Sequence, residues 1–281
     1  MLYKPCERTK AHITMRKLLV LLAVVLLASC SEYQKVLKST DYDVKYEKAI
    51  EYYDEGDYMR ASTLFQELIS VFMGTDRAEE VHFKYATSLY RMRDYLSSVH
   101  FFSEFVKKYP NSEYSEEAQF MVGTSYYQLS PKPRLDQTDT QNAIEAFQLF
   151  ASLYPNSPFL EKANKMVDEL QEKLVYKSYL NAKLYYHLGT YLGNNYQAAV
   201  ITARNSLDEF PDTEYREELS FLILDSLYIQ AMNSIEEKEE DRLRRTLDEY
   251  YAFINEFPES SYLKNANKIF EDVTSMLNHY N

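Results

Sequence analysis

Four hexapeptides of one design divide the chain: YPNSEY at 109–114, YPNSPF at 154–159, FPDTEY at 210–215 and FPESSY at 257–262. Proline fixes its own φ, lacks an N–H and pushes the residue before it out of the helical region. A Ser or Thr two places later is a good helix N-cap. Each copy therefore predicts a helix stop followed by a helix start. Counting back from each proline, a small residue (Thr in the last copy) stands twelve positions earlier and usually an aromatic eight earlier. The sets are Ser98, Phe102, Pro110; Ala143, Phe147, Pro155; Ala199, Ala203, Pro211; and Thr246, Tyr250, Pro258. Ala61, Phe65 and Met73 keep the spacing without the proline, so the frame predicts five units. With only 5 Gly and 8 Pro among 281 residues, the intervening segments are expected to be helical nearly throughout.

A second regularity precedes these frames. Tyr46, Phe83 and Phe120 recur at a period of 37, as do Ala49, Ala86 and Gly123, and Tyr53, Tyr90 and Tyr127. This period is that of helix-turn-helix solenoids, in which a small residue permits close helix approach and a bulky one locks the pair. The pattern resembles the tetratricopeptide repeat, with Tyr42 as position 1, Ala49 at 8, Ala61 at 20 and Phe65 at 24. The usual Trp at position 4 is absent everywhere, and in this frame the fourth unit is poor, with Lys183 at 4 and His187 at 8. Between Phe159 and Leu192 no proline intervenes, and Leu160, Ala163, Val167, Leu170 and Leu174 keep helical spacing, predicting one long helix of roughly 50 Å. The expected fold is an all-α tetratricopeptide solenoid of about five repeats. Its N-terminal half is 41–155 with three repeats, its connecting helix 156–179, and its C-terminal half 180–281 with two repeats and a capping helix from Tyr262.

The N-terminus follows a different logic. Met15-Arg16-Lys17 is a short basic region before an apolar run, Leu18 to Ala28, about half the length that spans a bilayer. Residues 1–29 are therefore expected to be a signal peptide, with Met15 as the candidate true start. LASC, Leu27 to Cys30, resembles the bacterial lipobox, whose cysteine receives diacylglycerol before cleavage, so 30–40 is expected to be a lipidated tether. Ser31 is not the aspartate that commonly retains lipoproteins at the inner membrane. Removing the leader also removes Cys6, leaving Cys30 alone and no intrachain disulfide. The remaining chain carries 26 basic and 42 acidic residues, a net charge of −16, which disfavours nucleic acid as a partner.

Lipobox, five repeats, a long connecting helix and the stretch LDQTDTQNAIEAFQLF (Leu135 to Phe150), preceded by the loop SPKPR, together resemble the BamD family of the outer-membrane β-barrel assembly machinery. The resemblance implies a lipid-anchored, periplasm-facing scaffold in the outer membrane. It would dock on the periplasmic domains of the barrel-forming subunit through its C-terminal repeats and receive unfolded barrel precursors near its N-terminal ones. Arg204 lies two residues from where this family presents an arginine to the barrel subunit. Two other readings compete: a different periplasmic tetratricopeptide lipoprotein, such as a secretin pilot or a Tol-associated coordinator, and a SusD-like glycan-binding lipoprotein. The inserted DQTDT loop counts against the first, and the lack of any Trp against the second.

No catalytic pattern is present. His12, His82, His100, His187 and His279 form no HExxH pair, and five glycines make no GxGxxG, P-loop or GxSxG. No cofactor or metal is expected, and no enzyme. Positions 5 and 12 of the first helix usually face the concave side of such repeats, so Tyr46, Tyr53, Phe83, Tyr90, Phe120 and Tyr127 form either a peptide-binding groove or the packing between neighbouring units. Arg242, Arg244 and Arg245, with Arg204, are either a docking patch for an acidic partner or surface partners of Glu236 to Asp241.

Overall fold

The computed structural model describes residues 32–280, which places the leader and Cys30 outside the described residues. Those residues fold as helical hairpins of the tetratricopeptide type. The pairs are α1 (Tyr42–Asp54) with α2 (Tyr58–Val71), α3 (Ala78–Arg91) with α4 (Tyr95–Lys108), and α5 (Ser115–Leu129) with α6 (Thr138–Leu153). After the long α7 (Leu160–Leu188) come α8 (Asn195–Glu209), the pair α9 (Arg216–Met232) and α10 (Glu236–Glu256), and α11 (Leu263–Leu277).

Short polar caps make the turns inside the hairpins. Asp57 accepts from the Arg60 N–H at 3.2 Å, Asp94 from Ser97 at 3.2 Å and Asn194 from Gln197 at 3.3 Å, each satisfying an orphan donor of a first helical turn. Between hairpins the four hexapeptides adopt one geometry. The aromatic before each proline ends its helix, as at Tyr109 (φ −126°), Phe210 (φ −129°) and Phe257 (φ −125°), where the following ring disfavours the helical basin. The hydroxyls of Ser112, Ser157, Thr213 and Ser260 then accept from the N–H two residues on, at 3.3, 3.1, 3.2 and 3.0 Å. Their carbonyls accept from the N–H three residues on. The cap predicted at each Ser or Thr is present, but it caps a tight turn, and the α-helix proper begins three residues later.

The described chain packs as two compact units: residues through Leu129 with Glu145–Ala163, and Ser130–Ile144 with Asn164 onward. In the first, Ala49 and Ala61 are fully buried between Leu64, Phe65, Val81 and Leu89, and a second cluster joins Phe83, Ala86, Phe102, Phe105, Ala118 and Val122. Each such large side chain contributes about 1.5–3 kcal/mol of burial. In the second, Ala182, Ala199, Ala203, Leu219 and Ile223 form one cluster, and Leu224, Leu243, Tyr250, Phe253 and Ile269 another.

This division differs from the partition expected at 155/156 and 179/180. One reason is that α7 is a single helix of 29 residues running through position 180, about 43 Å long. The other is the inserted loop before α6. Lys173 Nζ on α7 donates to Ser130 Oγ at 2.6 Å, Ser130 and Thr140 hydroxyls share a bond of 2.6 Å, and Thr140 donates to Gln137 Oε1 at 2.7 Å. Gln137 Nε2 in turn holds the Lys132 and Leu135 carbonyls at 2.9 and 3.1 Å. The loop is thereby clasped to the part of α7 from Asn164 onward, which lies in its own unit, and burial of Lys173 pushes its ammonium below the usual lysine range.

Part of the segment expected to be a lipidated tether, 32–37, is docked on the fold. Residues 32–37 are helical, Val36 is buried in the first core, and Tyr33 meets the Tyr52 ring edge-on at 5.8 Å.

Candidate functional site

The last aromatic of each hexapeptide closes the hairpin before it. Tyr114 stacks on Phe83 (centroids 4.8 Å apart), Phe159 on Phe120 (4.9 Å), Tyr215 on Tyr179 (4.2 Å) and Tyr262 on Phe221 (4.5 Å), all within 20° of parallel. The partner in every case is the position-5 ring of a first helix. The unit that lacks proline keeps the arrangement in altered chemistry. In Phe72-Met73-Gly74-Thr75-Asp76-Arg77 the Thr75 N–H bonds the Phe72 carbonyl at 2.9 Å, and the Arg77 guanidinium lies 4.6 Å from the Tyr46 centroid. A cation–π contact there replaces a ring stack.

These stacks correct the frame of the fourth unit. Tyr179 is its position 5, fully buried Ala182 its position 8 and Tyr186 its position 12, so Lys183 sits at 9 and His187 at 13. The fifth unit reads Phe221, Leu224, Tyr228 in the same way. In the fourth unit the rings and small residue are those of the first three units, displaced because the turn Gly189–Asn194 is longer than Glu55–Asp57; the fifth keeps the rings but carries Leu224 in the small position.

The six aromatics expected to form either groove or packing separate by position. Phe83 and Phe120 are 7% and 3% exposed, inside stacks, and are core; a groove surface at those two is ruled out by their burial. Tyr46 is half-buried, donating its hydroxyl to Glu80 beneath Arg77, and burial together with that bond pushes its phenol up to about 12. Position 12 differs. Tyr53, Tyr90 and Tyr127 are all half-buried. Tyr53 meets Tyr58 and Phe65 edge-on at 5.6 and 6.2 Å, with Lys84 Nζ 4.3 Å from its ring centroid, and Tyr90 meets Tyr95 at 5.3 Å. Burial raises the phenols of Tyr53 and Tyr90, which stay protonated donors at neutral pH. In the second unit Tyr186 and Tyr228 instead donate to the carboxylates of Asp225 and Asp272.

The four arginines of the expected docking patch are all engaged within the chain. Arg242 donates to the Gln230 carbonyl at 3.2 Å and Ser234 Oγ at 2.9 Å, capping the end of α9. Arg244 pairs with Glu240 at 2.7 Å and Arg245 with Asp241 at 3.0 Å, both with the acid four residues earlier, the favoured helical orientation. Arg204 reaches Glu249 on α10 at 2.7 Å. The expectation of an isolated basic patch is corrected on Arg242, whose head group is spent on carbonyl capping, while exposed Arg204, Arg244 and Arg245 are neutralised by neighbours.

The family described as "YfiO: Outer membrane lipoprotein" matches residues 39–224, a match that begins just before α1 and ends within α9. The chain belongs to this family. No curated protein matches it. Among solved structures it is similar to the TPR2AB domain of yeast Sti1, solved as a pHSP90 complex, at 13% identity and TM-score 0.37 over 83% of this chain and 98% of that one. It is also similar to the TPR domain of P58(IPK), at 14% identity and TM-score 0.39 over 99% and 71%. The fold assignment rests on the hairpins described above. Among the described residues of this outer-membrane lipoprotein family member, no helix is long and apolar enough to cross a membrane, and no three His, Cys, Asp or Glu side chains are grouped to hold a metal ion. His82 is 1% exposed, ringed edge-on by Phe101, Phe105 and Tyr109 at 5.6–6.1 Å. Neither of its ring nitrogens has a partner, the Phe101 backbone being near but outside bonding geometry.

Proposed function

We propose that this chain is a non-catalytic scaffold of the machinery that assembles outer-membrane β-barrels, anchored through a lipidated Cys30 and facing the periplasm. Membership of an outer-membrane lipoprotein family supports the anchor and the compartment. The observation that carries the scaffold reading is the row of half-buried tyrosines at position 12, Tyr53, Tyr90 and Tyr127, one per hairpin of the first unit. Such rings offer an amphipathic surface at low entropic cost, suited to an extended peptide that ends in aromatic residues, as unfolded barrel precursors do. Docking of the barrel-forming subunit falls to the last two hairpins, where Arg204, Arg244 and Arg245 are exposed and able to exchange an internal carboxylate for an external one.

The test pairs a thermal melt with a titration of a labelled peptide copied from a precursor's last strand. Tyr90→Ala should weaken binding about tenfold for each ~1.4 kcal/mol that the ring contributes to holding the peptide. Its stability cost should stay below the ~3–5 kcal/mol of a fully buried aromatic. A large drop in melting temperature with unaltered affinity would refute the groove. Copurification from detergent-solubilised envelope identifies the docking partner, and a partner other than a barrel-forming subunit would sink the assembly role.

A further inference from the structure

The docked segment before α1 has a consequence for how the molecule meets its membrane, given the lipidated Cys30 proposed above, on which this inference rests. The helical stretch 32–37 runs back along α1, from Ser39 and Asp41 at that helix's start to Tyr33 near its end. Arg60, in the first turn of α2, lies 5.3 Å from the Tyr33 ring centroid and 5.5 Å from that of Tyr52, and Glu32 pairs with Lys48 at 3.1 Å. The chain therefore leaves the fold beside the α1–α2 turn. Cys30 is two residues further on, a span of at most about 7 Å. A lipid on that cysteine leaves no slack for the first unit to hang away from the bilayer.

The surface at that end is apolar where solvent alone would give no reason for it. Met59 is 68% exposed at the start of α2, and Leu96, 37 residues later at the same register of α4, is 71% exposed. Met92, 40% exposed in the α3–α4 turn, joins them, since Ser62 Oγ touches both the Met59 carbonyl at 3.0 Å and Met92 Sδ at 3.4 Å. Charges around them are mixed: Arg60, Arg91 and Arg93 against Asp54, Glu55, Asp57 and Asp94. A near-neutral rim around apolar side chains suits the headgroup zone of a bilayer entered by hydrophobic contact rather than by attraction to anionic lipid.

We infer that the turn end of the first two hairpins, through Met59, Met92 and Leu96, seats on the lipid surface, held there by the docked segment 32–37. The position is read by attaching an environment-sensitive fluorophore to Leu96→Cys or to Met73→Cys in the full lipidated chain. Met73 lies in the turn at the other end of α2 from Met59, a helix about 21 Å long. Lipidation consumes Cys30, so the introduced thiol is the one labelled. The chains are reconstituted in phosphatidylcholine vesicles carrying a headgroup nitroxide. Quenching at 96 should exceed that at 73 by about twofold or more, and replacing a third of the lipid by phosphatidylglycerol should not raise it. Undocking the segment with Tyr33→Ala and Val36→Asp should bring the two positions level while the protein still floats with the vesicles. Equal quenching at 96 and 73 in the parent chain overturns the inference, as does a difference that survives undocking. A label at 96 that is shielded only after envelope proteins are added, and not by vesicles, reassigns the face to a protein partner and overturns it too. Failure of the parent to float, with Cys30→Ser behaving identically, removes the lipid anchor itself and this inference with it, and is told apart from the other outcomes by flotation alone.

Discussion

Gly123→Ala sets two known effects against each other at one site. In an ordinary helix interior the change gains about 1 kcal/mol, because glycine gives up the most backbone entropy on folding. Here Gly123 occupies position 8 of the third hairpin, where three of the other four units carry Ala49, Ala86 and Ala182 and the fifth carries Leu224. A Cβ at 123 would stand 2.6 and 2.7 Å from Phe147 Cδ1 and Cε1. Carbon atoms in contact sit at about 3.5–4.0 Å, so the ring must retreat by roughly 1 Å. Phe147 is 1% exposed and packs on Phe120 with centroids 5.9 Å apart, so it has nowhere to go without displacing the stack on Phe159. Overpacking of that kind costs about 1–3 kcal/mol. The net expectation is a loss of about 1 kcal/mol, a fall of roughly 2–4 °C in melting temperature. Urea melts followed by circular dichroism give the sign, and a double-mutant cycle with Phe147→Leu gives the cause: in that background Gly123→Ala should become stabilising. If Gly123→Ala raises stability in the parent chain, the close approach of α5 and α6 is wrong.

Neutral burial of His82 predicts a pH dependence. Burial holds its imidazole below 6.5 in the folded state, against the weaker opposing pull of Glu104 and with Lys108 and His100 adding to the lowering. Stability is therefore full above pH 6.5 and falls by up to ~1.4 kcal/mol per unit as the unfolded chain takes up the proton below it, a slope that His82→Phe should remove in melts between pH 7.5 and 5. Lys173→Met should cost about 1 kcal/mol and accelerate amide exchange over 130–137, because Ser130 loses the donor that clasps its loop to α7; unchanged exchange would reject the clasp. Arg77→Ala should lower the melting temperature, since the guanidinium both lies over the Tyr46 ring and pairs with Asp43, whereas Arg77→Tyr, which restores the ring found in the other four copies, should recover part of that loss.

Four of the five hairpins are legible in the sequence because proline acts locally, its ring excluding the helical basin at Tyr109, Phe210 and Phe257 whatever surrounds them, and the first follows from the spacing those four set. The long helix is legible for the converse reason, an absence of breakers from Phe159 to Leu192. What escapes the frame depends on three dimensions. Counting at fixed spacing fails in the fourth unit because the Gly189–Asn194 turn is longer, so the count lands on Lys183 and His187 rather than on Tyr179 and Tyr186. Arg77 offers no likeness to a tyrosine in sequence, and only its seat over Tyr46 reveals the shared role. Arg242 looks the same as Arg244 and Arg245 in the linear chain, but it stands where a helix end presents a free carbonyl. In the ladder, Phe83 and Phe120 lack a hydroxyl and sink into the core, while the tyrosines at position 12 stay half in water, a distinction the residue types already carry.

The ring that completes each hairpin is encoded six residues into the next segment, so the length of chain that repeats and the length that can stand alone are out of phase. A fragment cut at Pro110 would hold both helices of its second hairpin yet leave Phe83 without the Tyr114 that covers it. One extended to Ser115 would carry its own lid. Any duplication, deletion or shuffling of these modules that respects the proline boundaries breaks a stack at every junction, whereas one cut just after the second aromatic inherits them all.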